Sequence, residues 1–147
     1  YLDTRLGEEI AFARRSERPL ALLMLDLDQF KEYNDRHGHV AGDQILVAFA
    51  RILTKEIQRK TDFACRYGGE EFAVVLYDTD LWGAKEIAVR ILEAVRRTGV
   101  TVSIGIAVRV PGEKEGDTAL LQAADGALYE AKRGGRDQYR VAGGSET

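Results

Sequence analysis

Six consecutive apolar residues, LALLML at 20–25, run unbroken into an aspartate. So short and uniform a stretch predicts a strand covered on both faces, since a helix needs about 10 residues or more and a half-buried strand alternates. Such a strand requires sheet neighbours on each side and packed layers above and below. That commits the chain to a layered α/β domain. Its 147 residues suffice for one domain with a single core.

The periodicities on either side supply the layers. Residues 2–15 place Leu2, Leu6, Ile10 and Ala13 on one helical face, and Pro19 ends that stretch. Residues 26–39 read as a polar loop passing into a short helix. Asp43 then reads as the cap of a long helix with Ile45, Leu46, Phe49, Ile52, Leu53 and Ile57 at helical spacing. FACRYGGEEFAVVLY at 63–77 reads as a hairpin turning at Gly68 and Gly69. A helix over 81–97, an alternating strand over 100–108, a helix over 118–133 and a short strand near 138–141 complete the order. Hairpin pairing makes the sheet at least partly antiparallel. The expected domain is 1–142, with 143–147 as a disordered tail.

A net charge of −3 speaks against a basic nucleic-acid surface, so a polyanion bound here must be met by a local site, by metal, or by both. The single cysteine, Cys65, excludes an internal disulfide; its apolar setting predicts a small core residue in a reducing compartment, the cytoplasm. No apolar run reaches the length of a membrane span, and no membrane contact by this stretch is expected. The first residue is Tyr1, which reads as the start of a piece cut from a longer protein.

Polar chemistry gathers at the strand ends. Asp26 and Asp28 follow the buried strand and, two apart, point to the same side. Glu70 and Glu71 sit just past the hairpin turn and as strand neighbours point to opposite sides, so only one faces straight into a shared site. If the hairpin lies beside strand 20–25, Asp26 and Glu70 converge. A divalent cation relieves the repulsion of convergent carboxylates, and oxygen-only ligands favour magnesium or manganese. Phe30 and Lys31 open a short helix whose first amides suit a phosphate. Lys132 and Arg136, four apart, share a face if their helix continues that far. Together these features suit a nucleoside triphosphate, although each pair alone is more readily a set of solvated acids or of cations at a helix end.

RYGGEEF, at 66–72, resembles the signature of the GGDEF family, the diguanylate cyclases, in its GGEEF form. PLALLMLDLDQFKEYND resembles that family's first strand and phosphate loop, GHVAGD its G-H-x-x-G-D segment, VTVSIGIA its T-x-S-x-G strand, and ADGALYEAKRGGRD its last helix and turn. Asp137 stands where the family usually has asparagine, and the family's lead-in before Tyr1 is missing. The resemblance implies a palm-like α/β fold, mainly antiparallel, surrounded by helices. It implies condensation of two GTP into cyclic di-GMP with release of two pyrophosphates, in a homodimer, with two Mg2+ (or Mn2+) per active site and a sensor or regulatory domain ahead of this one.

The implied roles fall on particular residues. Asp26, Glu70, Glu71 and the Leu27 carbonyl would hold metal, with Glu70 accepting the 3′-hydroxyl proton. The backbone at Phe30 and Lys31, with Lys132 and Arg136, would hold the β- and γ-phosphates; Asn34 and Asp43 would read guanine. Arg59, Asp62 and Arg90 match the family's inhibitory product site. Asp28 is open between touching metal and holding its loop by hydrogen bonds. Asn34 and Asp43 have a bland alternative as turn residue and cap, and His37 and His39 read as structural. A catalytically weak module that only binds GTP or cyclic di-GMP is the alternative for the whole.

Overall fold

The computed structural model describes residues 18–57, 62–109 and 117–143, together with Glu8 and Phe12. Apart from those two residues, the helix expected over 2–15 lies outside the described residues, as do Arg59 and positions 144–147. The elements run β1 (Leu20–Leu27), α1 (Phe30–His37), α2 (His39–Glu56), β2 (Phe63–Arg66), β3 (Glu71–Tyr77), α3 (Leu81–Arg96), β4 (Val102–Arg109), α4 (Asp117–Arg133) and β5 (Gln138–Val141).

The strands form one five-stranded sheet in the order β2-β3-β1-β4-β5. The apolar run is its central strand, antiparallel to β3 and β4, and every residue of β1 is buried. Among the described residues only β4 and β5 run parallel. Alternation along β1 sorts its side chains to two layers. Ala21, Leu23, Leu25 and Leu27 face a cluster with Phe49 and Leu53 of α2 and Ile91 and Val95 of α3. Leu20, Leu22 and Met24 face Leu120, Ala124 and Leu128 of α4. Leu→Ala at a site as closed as Leu23 typically costs about 2–5 kcal/mol.

One glycine sets the spacing of the second layer. A Cβ at Gly105 of β4 would run into the backbone of Ala124 and Leu128, so only glycine lets α4 lie this close to the sheet. Asp80 caps α3, accepting from the Gly83 amide at 3.0 Å.

Two expectations need correction. Asp43 is not a cap. Gly38, at φ 93°, makes the break between α1 and α2, so the helix already begins at His39 and Asp43 lies exposed in its second turn. Nor does α4 continue to Arg136. It ends at Arg133 in a glycine turn, where the Gly134 amide donates to Glu130 O (2.8 Å) and the Arg136 amide to Ala131 O (3.0 Å). Cys65, on the edge strand β2, is half-buried against the α4-side cluster.

Candidate active site

Asp26 ends the buried strand on the face that carries Leu22 and Met24, so its carboxylate points toward α4. It is only 5 % exposed. Lys132, in the last turn of α4, donates to its Oδ2 at 2.5 Å. An ionised carboxylate this deep needs such a partner.

The hairpin brings Glu70 alongside. The Leu27 amide donates to Glu70 O at 3.2 Å, tying the end of β1 to the turn. The turn is braced by Arg66, whose Nε donates to Gly68 O (3.1 Å) and Gly69 O (3.0 Å) and whose Nη2 reaches Gly69 O at 2.6 Å. Burial, then the charges of Asp26 and Glu71, push the Glu70 carboxyl above its ordinary range, with Lys132 opposing. Glu71 is the register partner of Asp26, and its carboxylate lies by Gly68 in the turn. Among the described residues no three His, Cys, Asp or Glu side chains cluster closely enough to hold a cation alone. Two carboxylates and a carbonyl fit magnesium, which keeps ligand positions for substrate phosphate, better than they fit an all-protein cage.

Asp26, Glu70, Phe30, Lys31, Lys132 and Arg136 line one cleft of about 220 Å3. Gln29, left-handed at φ 55°, makes the sharp entry into α1 and offers no side-chain cap, leaving the first amides of the helix to the cleft. Lys132 and Arg136 therefore do share a site, but through the turn after α4 and not through one helical face. Asn34 packs where a Cβ on Gly42 would strike its amide, and its buried Oδ1 has no hydrogen-bond partner. Asp43 is one residue further along α2. His37 and His39 are exposed, the former with its ring 4.4 Å from that of Tyr33.

Asp28 belongs to the scaffold of this cleft. Its Oδ1 accepts from Ser103 Oγ (2.6 Å), and its Oδ2 accepts from Thr101 Oγ1 (2.6 Å) and the Asp137 amide (3.0 Å). Asp137 in turn takes Arg96 Nε on both oxygens, at 2.9 and 3.1 Å. Sequence reading matched Thr101 and Ser103 to the T-x-S-x-G strand without giving them a role, and passed over Arg96. The first two carried a signal, hydroxyls two apart at the mouth of a buried strand, whereas the Arg96–Asp137 pair spans 41 residues and left none.

A larger cavity, about 700 Å3, lies elsewhere, between α3 and the ends of α2 and β3. It brings together Asp62 and Arg90 of the expected inhibitory set. Asp62 Oδ1 accepts from the Tyr77 amide (3.0 Å), and Arg90 Nε pairs with Glu56 (2.7 Å).

At the ends of the central strands, two carboxylates, three cations and the first amides of a helix meet in one cleft of a mixed α/β domain. The sequence profile described as "Diguanylate cyclase, GGDEF domain" matches residues 1–138, and the chain belongs to that family. It is 39 % identical over 150 residues to diguanylate cyclase DgcP of Pseudomonas aeruginosa, covering 96 % of this chain and 22 % of that one. The active GGEEF domain of a diguanylate cyclase from Vibrio cholerae superposes with TM-score 0.82 at 28 % identity, covering 95 % of this chain and 92 % of that one. The GGDEF domain of DgcB from Caulobacter crescentus, solved in complex with c-di-GMP, gives 0.80 at 33 % identity, covering 97 % and 86 %. The chain spans less than half the length of the curated relatives named or described as cyclases and response regulators. Among the described residues no helix is long and apolar enough to cross a membrane.

Proposed function

We propose that this domain condenses two GTP into cyclic di-GMP with release of two pyrophosphates, as the catalytic output of a larger signalling protein. The observation that carries the reading is the convergence of Asp26 and Glu70 on a cleft that also holds Lys31, Lys132, Arg136 and the open start of α1. Acid on one side and donors on the other match a metal-bound α-phosphate and its β- and γ-phosphates. Asp26, Glu70 and the Leu27 carbonyl would hold Mg2+ or Mn2+, with Glu71 beside them. When bound, that ion would supply charge neutralisation at the α-phosphate and a more acidic 3′-hydroxyl.

The chain's own groups do the rest. Glu70, held partly toward its protonated form by its neighbours, is the group placed to accept the 3′-hydroxyl proton. Lys132 reaches the same centre from α4 and can turn from Asp26 to phosphate. The first amides of α1, with Lys31 and Arg136, steady the triphosphate for in-line attack. Asn34, with its buried oxygen unsatisfied, and Asp43 on the neighbouring helix are placed to accept from the N–H edge of guanine. Incubation with GTP and magnesium, followed by mass analysis, should give cyclic di-GMP, and Asp26→Asn should not. Guanosine triphosphate returned unchanged by the parent domain at any protein concentration would favour the binding module instead.

A second reading concerns the 700 Å3 cavity, and its size together with Asp62 and Arg90 favours it. We infer that cyclic di-GMP binds there as inhibitor with Arg59 as third contact. An arginine fork takes guanine O6 and N7 together, and Asp62 can accept from the opposite edge. Arg59→Ala should abolish tight product binding in calorimetry while initial GTP turnover is kept; unchanged product affinity would place the site elsewhere.

A further inference from the structure

Arg136 reaches the cleft from a backbone that few residues adopt. Gly135, Arg136 and Asp137 are all left-handed, at φ 117°, 64° and 51°. Two consecutive non-glycine residues in that region are held only where the surroundings over-determine them. Here the surroundings are a chain of contacts that begins two residues after Asp26. Asp28 is 8 % exposed, and both its oxygens are engaged, by Ser103, Thr101 and the Asp137 amide. Its own amide donates to Thr101 O at 2.9 Å, so the end of β1 and the approach to β4 are sewn together at one residue. From the far side Arg96, the last residue of α3, grips the Asp137 carboxylate and also reaches Asp137 O at 3.4 Å.

We propose that Asp28, Asp137 and Arg96 form a clasp that positions Arg136 for the triphosphate, and that Asp28 is a positioning residue of the cleft and not a metal ligand. The inference rests on the reading of that cleft as a GTP site. Three donors already occupy the Asp28 carboxylate, and a cation there would have to displace them. A carboxylate at position 137, unlike an amide, adds a charged partner for Arg96. The clasp therefore links the long helix α3 to the phosphate end of the cleft.

The probe is 3′-deoxy-GTP with magnesium, which lacks the attacking hydroxyl, and guanosine is the control. Asp28→Ala should weaken 3′-deoxy-GTP roughly tenfold or more, the scale of one charge-assisted phosphate contact, and leave guanosine nearly unchanged. In turnover it should raise KM for GTP more than it lowers kcat. Asp28→Asn keeps an acceptor for the Asp137 amide and should recover most of the loss. Arg136→Ala should lose as much as Asp28→Ala, and the double variant no more than either. If Asp28→Ala does not fold, Arg96→Gln gives the same reading through the other arm of the clasp. Full triphosphate affinity in both clasp variants, losses that add to those of Arg136→Ala, or an Asp28→Asn as inactive as Asp26→Asn would overturn the clasp. A parent domain that fails to bind 3′-deoxy-GTP at all would overturn the GTP reading beneath it, and the clasp's purpose with it.

Discussion

Glu70 carries a charge that its surroundings oppose, since burial and the charges of Asp26 and Glu71 all favour the neutral acid. A carboxyl raised in the folded state binds more protons folded than unfolded. Stability therefore falls as pH rises from the ordinary carboxylate range near 4.5 through the raised value, and is regained on acidification through that window. Glu70→Gln removes the penalty. It should melt no lower than the parent at neutral pH, with a gap that closes toward pH 4, and a melting point well below the parent at neutral pH would contradict this. The gain is small because solvent screens so open a group. Activity should move the other way, by orders of magnitude, because in the proposed reaction the same substitution removes the proton acceptor and a metal ligand. Product formed at the parent's rate by Glu70→Gln would remove Glu70 from the chemistry. Asp43 offers a second test at this scale. Exposed and capping nothing, it has no structural duty to confuse the result. Asp43→Ser should leave stability within about 0.5 kcal/mol and relax discrimination against ATP, because adenine lacks the paired N–H edge a carboxylate reads. Strictness for GTP equal to the parent's would end that assignment.

At the scale of elements, α4 is the part whose placement decides most. It brings Lys132 to Asp26, and it can do so only because Gly105 lets it settle on β4. Gly105→Ala forces a methyl against main chain, which cannot rotate away, so about 1–3 kcal/mol of stability should be lost. Turnover should fall further than the melt explains, because Lys132 moves with the helix. Denaturant titration beside GTP turnover checks both, and a parent-like midpoint would mean the layer tolerates the shift. The strands and helices of this layer were legible because their periods are local: an unbroken run for β1, alternation for β4, a 3.6 repeat for α4. The hairpin was legible from its glycines, and with it the meeting of Asp26 and Glu70. What escaped reading was geometry decided by single backbone angles. Gly38 moved the start of α2 ahead of Asp43, and the left-handed turn after α4, not the helix itself, delivered Arg136. The contacts of Asp28 joined residues 73 to 109 positions apart, a distance over which no sequence period speaks.

For the whole molecule the decisive point is that the described residues of one domain present one cleft of this kind. Two attacks are needed to close a cyclic dinucleotide, and each needs a nucleotide steadied by its own carboxylates, amides and cations. The proposed reaction therefore calls for two copies meeting cleft to cleft about a two-fold axis, since only that operator gives both attacks the same geometry. Below the dissociation constant the fraction paired is proportional to concentration, so specific activity should climb with protein concentration and then level off. Mixing sharpens the test. A small amount of parent domain in excess Glu70→Gln places nearly every active copy opposite an inactive one that still binds GTP. Such a pair can complete one attack but not the second, so a linear dinucleotide triphosphate should accumulate in place of the ring. Dilution-independent specific activity, or ring formed in that mixture at the parent's yield, would mean that a single domain closes both bonds.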